Sequence, residues 1–177
     1  MIKSDRLILR RWRDADLEPF AAINADPVAM RFMPAAMTLE ETRAMVGRIE
    51  EHQRAHGFGI WALEVPGVAP FVGFLGLQRV GFEAPFTPAV EIGWRLAPAH
   101  WGKGYATEGA KAAIRFGFEN LNLDQIVSFT VAANKPSWSV MERVGMTRDP
   151  SEDFDHPRLP AGHALRRHVL YRLKRPS

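Results

Sequence analysis

The chain contains no cysteine, which excludes disulfide bridges, thiolate metal sites and a cysteine nucleophile. Its six histidines show no HExxH spacing, so no metal site is predicted. No apolar run approaches the ~20 residues that a membrane-spanning helix needs. The charged start is not followed by the apolar segment of a signal peptide. We therefore expect a cytoplasmic protein with no membrane partner.

A strong charge of either sign is also missing. Lysine and arginine number 23 against 20 acidic residues, for a net charge of +3. The basic residues are spread along the chain and form no basic helix, which speaks against nucleic acid as a partner. A modestly basic surface can attract an anionic cofactor. The length of 177 residues and the hydrophobic content of 46% predict a single domain over residues 1–177.

Hydrophobic periodicity predicts the element order βααβββ-αβαβ. The clearest helices are one that follows a capping box, Thr38-Leu39-Glu40-Glu41, and one with a continuous apolar face at 107–120. Alternating apolar and polar residues predict strands at 90–96 and, further on, at 125–131. Runs of strands with helices between them predict an α/β (α+β) fold, in which helices cover a mixed central sheet.

The segment from Glu91 to Glu108 passes from a strand through a short loop into a helix. Gly102 and Gly104 would let the backbone approach a ligand closely, because they carry no Cβ. The loop amides and the positive end of the helix dipole suit a phosphate or pyrophosphate, and Lys103 could add a charge. The spacing fits neither GxxxxGK[ST] nor GxGxxG, and an ordinary strand-to-helix turn is the alternative.

The run Gly-Lys-Gly-Tyr-Ala-Thr-Glu at 102–108 resembles the acyl-CoA loop of the GNAT (Gcn5-related) N-acetyltransferases, and most closely the RimJ/RimL-type branch. The family pattern begins with Gln or Arg, where this chain has Trp101. The segments 4–10, 134–146 and 166–171 resemble the family's first strand, its Asn-x-x-Ser segment and its last strand. The resemblance therefore covers nearly the whole chain.

The resemblance implies the GNAT acyltransferase fold, whose central sheet is mostly antiparallel, with acetyl-CoA (CoA) as donor and a primary amine as acceptor. It also implies that the strands 91–96 and 125–131 separate, and that the pantetheine arm lies in the gap. A homodimer is expected from the habit of the family alone. The residues implied to bind the cofactor are Trp94, Leu96, Trp101, Gly102, Lys103, Gly104, Tyr105, Ala106, Thr107, Asn134 and Ser137.

Attack of an amine on a thioester needs a base, and the resemblance makes Glu91 the first candidate because it borders the acceptor cleft. A structural ion pair between Glu91 and Arg95 is the alternative. Many family members use a tyrosine as the acid where this chain has Met141. Ser137 is therefore the substitute catalytic candidate, and a helix N-cap is its alternative role.

The resemblance to the RimJ/RimL branch favours a protein N-terminal α-amine as acceptor. A small-molecule amine stays open, because one scaffold serves many acceptors. A non-catalytic acyl-CoA-binding module is the rival class, against which Glu91 and the intact glycine loop argue. The sequence leaves the acceptor, the acyl-chain preference, the general acid and the oligomeric state open.

Overall fold

A computed structural model describes residues 1–176 of the chain. Within this range nine strands form one sheet, and four α-helices pack on its faces. The strands are β1 (Ile2–Lys3), β2 (Ile8–Arg10), β3 (Ile60–Val65), β4 (Ala69–Arg79), β5 (Val90–Leu96), β6 (Gln125–Val131), β7 (Thr147–Arg148), β8 (Phe154–Asp155) and β9 (Arg167–Lys174). The helices are α1 (Leu17–Ala25), α2 (Leu39–His56), α3 (Tyr105–Glu119) and α4 (Lys135–Arg143).

Neighbouring strands follow the order β1-β2-β3-β4-β5-β6-β9-β7, and β8 also pairs with β9. Every pairing is antiparallel except that of β5 with β6, which is parallel. The predicted class, a mixed and mostly antiparallel sheet flanked by helices, is confirmed. The sequence pattern does not predict β1, β7 and β8, because two residues are too few to show a period.

The predicted capping box begins α2. The Oγ1 of Thr38 accepts from the backbone N–H of Glu41 at 3.1 Å, and a Glu41 carboxylate oxygen accepts from the Thr38 N–H at 2.7 Å. Gly57 ends the helix in the left-handed region, with φ 76°. Among residues 1–176 no helix combines the length and the apolar character that crossing a bilayer requires.

The sheet buries a different core on each face. On one face α3 contributes Ala110 and Ala113, which pack with Leu75, Leu77 and Ile92 of the sheet. On the other face, Phe20 of α1 and Ile49 of α2 pack with other sheet residues, including Phe74. Because side chains alternate along a strand, the odd-numbered residues of β5 point toward the α1 and α2 face.

The strands β5 and β6 pair at a single position, with Glu91 opposite Val127. One side-chain link follows, in which the Ser128 hydroxyl donates to the carbonyl of Ile92 at 2.9 Å. Beyond it the two strands, each of seven residues, no longer pair, so their carboxyl ends separate. The gap that the resemblance implied between these strands is present.

Candidate active site

A cavity of about 1040 Å³ opens where β5 and β6 separate. Its lining comes from the end of β5, the loop before α3, the first turn of α3, the start of α4 and the segment between α1 and α2. A cavity of this size holds a large organic ligand. The sequence-predicted residues that line it are Trp94, Leu96, Trp101, Gly102, Gly104, Tyr105, Ala106, Thr107, Asn134 and Ser137.

The loop before α3 depends on two glycines in the left-handed region. Gly102 has φ 73° and Gly104, the N-cap of α3, has φ 80°. A Cβ on Gly102 would meet nothing within 4 Å, so its backbone is open to a ligand. The first-turn amides of α3 have no partners within the helix, and the helix dipole adds a partial positive charge. The arrangement has the features of an anion-binding site made from main chain, and we call it the anion site.

Trp101 replaces the Gln or Arg of the family pattern and has a structural role here. Its indole N–H donates to the carbonyl of Leu96 at 2.8 Å, which ties the loop to the end of β5. The ring is 40% exposed, and the guanidinium of Arg31 lies 5.9 Å from it. The departure from the pattern therefore leaves the loop anchored.

A second anchor of the loop joins Arg6 to Glu108, and the sequence does not reveal it because 102 residues separate them. Glu108 accepts from the Ser4 hydroxyl at 2.7 Å, and its carboxylate contacts the Arg6 guanidinium at 2.7 Å. Arg6 also donates to the carbonyl of Lys103 at 3.0 Å. Burial opposes ionisation of Glu108, but these hydrogen bonds prevail, and its pKa lies below the ordinary value. The anion site thus has beside it an ionised carboxylate whose charge is balanced by Arg6.

Lys103 is the one predicted cofactor residue outside the cavity lining. Its side chain is exposed, and only its carbonyl takes part in the loop anchor. Besides the paired Arg6, the cationic side chains that α3 and α4 add to the cavity lining are Lys111, Lys135 and Arg143. The sequence motif does not contain these three residues, since they lie along α3 and α4.

The N-cap of α4 is Asn134, so the alternative role of Ser137 as a cap is wrong. The Asn134 side-chain oxygen accepts from the backbone N–H of Ser137 at 3.4 Å, and its amide donates to Thr130 at 3.0 Å. Ser137 is the third residue of α4, and its hydroxyl has no hydrogen-bond partner within residues 1–176. Ser137 is one of the residues that line the cavity, so its unpartnered hydroxyl is a candidate contact for a ligand.

Met141, at the position of the family's tyrosine, is 1% exposed and belongs to the core. Tyr171 is outside the cavity lining, and its hydroxyl donates to Glu142 at 3.1 Å. Burial is the main cause that raises the pKa of Tyr171 above its ordinary value. Tyr105 is the tyrosine that lines the cavity, with the Arg6 guanidinium 5.0 Å from its ring.

Glu91 lies on the α1 and α2 face of β5 and outside the cavity lining. Its carboxylate accepts from the side-chain amide of Gln78 at 2.7 Å. Burial raises the pKa of Glu91 from 4.5 to about 7, although the Gln78 hydrogen bond and the charge of Arg158 oppose the shift. The ion pair with Arg95 is absent from the described residues, so that alternative is wrong.

Two residues on the same side of β5 connect Glu91 with the cavity. A Cβ on Gly93 would meet nothing within 4 Å, so there is open space over this residue. Arg95 comes next on that side and lines the cavity. We call the side of β5 that carries Glu91, Gly93 and Arg95, which is the side toward α1 and α2, the outer face of β5. Strand alternation marks this face in the sequence, but the cavity contact of Arg95 was not predicted from it.

Comparison with known proteins gives a family match over most of the chain. Residues 6–147 match the family described as "Acetyltransferase (GNAT) domain". The uncharacterized N-acetyltransferase YnaD of Bacillus subtilis is 28% identical over 163 residues, which cover 92% of this chain and 89% of YnaD. A GNAT-family acetyltransferase structure from Bacillus anthracis has a TM-score of 0.79 and 27% identity, over 98% of this chain and 97% of that one.

RimL, a ribosomal alpha-N-protein acetyltransferase solved in complex with coenzyme A, is also among the similar structures. It has a TM-score of 0.75 and 17% identity, and the match covers 97% of this chain and 95% of RimL. At this identity the similarity shows a shared fold.

Proposed function

The chain belongs to the GNAT family of acetyltransferases, and we propose that it uses the cavity between β5 and β6 to bring acetyl-CoA to a primary amine. GNAT N-acetyltransferases use acetyl-CoA as donor. The single pairing of β5 with β6 carries the proposal, because the opening beyond it joins the anion-binding loop to the outer face of β5. Residues 1–177 would form one catalytic domain.

The lining fits the acidic part of the donor. The amides from Gly102 to Ala106 would hold the pyrophosphate at the start of α3, where a Cβ would narrow the approach. Lys111, Lys135 and Arg143 would balance the remaining phosphate charge. Acetyl-CoA supplies an acetyl group held as a thioester, and the acceptor amine takes that acetyl group as an amide while the CoA thiol is released.

Glu91 would take the proton from the acceptor, since a protonated amine has no lone pair with which to attack. With a pKa of about 7, the carboxyl is ionised in part of the molecules at neutral pH. Glu91 lies roughly 13 Å along β5 from Arg95, at about 3.3 Å per strand residue. The proton would therefore reach Glu91 through water in the open space over Gly93.

Ser137 would offer its free hydroxyl to the departing sulfur. The support is its place in the cavity lining together with the absence of any hydrogen-bond partner within residues 1–176. A thiolate is a tolerable leaving group, since the pKa of a free thiol is about 8.5, so a single neutral donor is adequate help.

The acceptor that the geometry favours is a small primary amine. A cluster that includes Phe82, Phe86 and Phe129 packs around Val127, the residue opposite Glu91. This cluster bounds the outer face of β5 on the β6 side and limits the room for an extended chain. A peptide α-amine stays a prediction from the branch resemblance, because the similarity to RimL is one of fold.

Two measurements test the proposal. Desulfo-CoA and acetyl-CoA at ~1 mM, at or above typical KM values, should both raise the melting temperature, because a ligand of the folded state stabilises it. With acetyl-CoA, a panel of amino acids, amino sugars, polyamines and short peptides should reveal an amine that releases free thiol. Binding without thiol release for any amine would favour the non-catalytic module, and no binding would refute the proposal.

A further inference from the structure

Arg95 is a half-buried arginine with no carboxylate partner among residues 1–176. Its Nη1 donates to the side-chain oxygen of Asn24 at 2.6 Å, and its guanidinium lies 5.4 Å from the ring of Phe74. Burial lowers the pKa of Arg95 to about 10, so the group stays charged at neutral pH. A guanidinium has five N–H donors, and most of these are left for a ligand in the cavity.

Asn24 fixes the direction of this guanidinium. Asn24 is fully buried, and its amide donates to the buried hydroxyl of Thr42 at 3.0 Å. Its oxygen is therefore the end that faces Arg95. The partner is neutral, so it orients the arginine without cancelling the charge.

Arg10 shows what a structural arginine looks like in this protein. It is 4% exposed and contacts the carboxylates of Asp16 and Glu64, both at 2.7 Å. A charge taken out of water requires such partners. Arg95 has no such partner and is held by one hydrogen bond to Asn24 and by the ring of Phe74, which is the state expected of a group that pairs with an acid on the ligand.

The acidic residues of the cavity cannot fill this role. Asp5 and Glu108 are the acids in the lining, and Glu108 is already paired with Arg6. Asp5 is exposed at the turn before β2, beside the loop anchor. Asp5 is thus the one unpaired acid of the lining within residues 1–176, whereas Arg31 and Arg95 also line the cavity, so the lining does not favour an acceptor with several positive charges, such as a polyamine.

Arg95 also lies apart from the phosphate-binding loop. Its contacts with Asn24 and Phe74 are on the α1 and α2 face, whereas α3 packs on the opposite face. The cationic groups Lys111, Lys135 and Arg143 belong to α3 and α4, the helices that pack on that opposite face. The charge of Arg95 is thus directed toward the side on which Glu91 lies.

From these contacts we propose that Arg95 recognises the acceptor, and that the acceptor is a primary amine carrying an acidic group, a carboxylate or a phosphate. The inference rests on the proposed function. The acid would pair with the free N–H groups of Arg95, while the amine would lie over Gly93 toward Glu91. Arg95 would thereby be a specificity-determining residue.

Paired acceptors that differ only in the acidic group test the inference. L-methionine is compared with L-methioninamide, and glucosamine 6-phosphate with glucosamine, while spermidine represents a polycation. We expect kcat/KM to be about 10- to 100-fold higher for the acidic member of at least one pair, the worth of a hydrogen bond to a charged group. In Arg95→Met this ratio should fall to near one through KM. Arg48→Met, on the exposed side of α2, should keep the ratio.

A binding experiment covers the case in which none of these amines is turned over. The same probes are titrated calorimetrically into the protein saturated with desulfo-CoA. Binding of an acidic probe that Arg95→Met weakens about 10-fold or more supports the inference. Equal binding of acidic and neutral probes, preference for spermidine, or no binding of any acidic probe overturns it. Failure of desulfo-CoA to raise the melting temperature would instead refute the proposed function, so the two failures are distinguishable.

Discussion

The proposed active site has a cofactor half and an acceptor half, which are built from different parts of the polypeptide. The cofactor half consists mostly of main chain from one continuous segment, the loop at 101–104 and the first turn of α3. The acceptor half consists of side chains on the outer face of β5, whose partners Asn24 and Gln78 come from α1 and β4. A continuous segment produces a motif in the sequence, whereas a face assembled by packing does not.

The halves also differ in electrostatics. Glu108 in the cofactor half has its charge satisfied by hydrogen bonds, and its pKa is lowered despite burial. In the acceptor half burial raises the pKa of Glu91 and lowers that of Arg95, because burial disfavours the charged form of each group. Perturbed groups of this kind are typical of functional sites. Substitutions in the acceptor half should therefore change turnover or selectivity, and those in the cofactor half should change CoA affinity.

Glu91→Gln should give the largest effect. It keeps the size and the hydrogen bond of Glu91 but cannot take a proton. We expect turnover to fall by about 10²–10⁴-fold, the usual contribution of a general base, with desulfo-CoA affinity retained. The wild-type rate should rise with pH through about 7, where Glu91 loses its proton, and the variant should lose this limb. Glu83→Gln, at an exposed position, is the matched control.

The same variant tests whether the folded protein disfavours the ionised form of Glu91. Because its pKa is about 7 in the folded protein and 4.5 ordinarily, folding favours the protonated carboxyl. The contribution of Glu91 to stability should therefore fall as pH rises from 4.5 to about 7 and change no further above it, and comparison with the variant isolates this contribution. Glu91→Gln should melt at or above the wild-type temperature at pH ~8, with a smaller difference at pH ~5. A lower melting temperature at both pH values would show that Glu91 is a stabilising structural residue.

Gly104→Val is the corresponding change in the cofactor half. A residue with a Cβ is strained at φ 80°, and the added atom would lie 3.4 Å from the Arg6 guanidinium. Strain of this kind costs about 1–3 kcal/mol, so desulfo-CoA affinity should fall by about 10- to 100-fold as the loop shifts. Gly67→Val is matched to it, with φ 77° and open space but a position remote from the cavity. Equal affinities for both variants would mean that the loop does not hold the phosphates.

The division between the cofactor half and the acceptor half also decides how much of the structure the sequence predicts. The order of the main elements, the α2 capping box and the glycine loop depend on neighbouring residues, so local patterns predict them. The Arg6 anchor and the Arg95–Asn24 contact join residues 102 and 71 positions apart, and no local pattern contains them. Serine and asparagine are both good caps, so the sequence alone does not decide between Asn134 and Ser137.

Ser137 lies between the two halves, and the variant Ser137→Ala should have a moderate effect. If the hydroxyl assists the departing sulfur, kcat should fall by about 2- to 10-fold, the worth of one neutral hydrogen bond. The N-cap of α4 should survive, because Asn134 provides it. Desulfo-CoA lacks the sulfur, so its affinity should not change. A loss of desulfo-CoA affinity in place of kcat would assign Ser137 to cofactor binding alone.

Arg6→Met should give the smallest effect and sharpens the description of the cofactor half. The Arg6 side chain is 52% exposed, so its ion pair with Glu108 is screened by solvent, and we expect a loss of desulfo-CoA affinity of only about 2- to 5-fold. Part of that loss should come from Glu108 itself, whose unpaired carboxylate would then lie beside the phosphates. Adding Glu108→Gln to Arg6→Met should therefore recover affinity, and high salt should reduce the difference between the variants. If the losses of affinity in the Arg6→Met and Glu108→Gln single variants simply add in the double variant, Arg6 acts through its hydrogen bond to the Lys103 carbonyl. Balancing the charge of Glu108 would then contribute nothing to CoA binding.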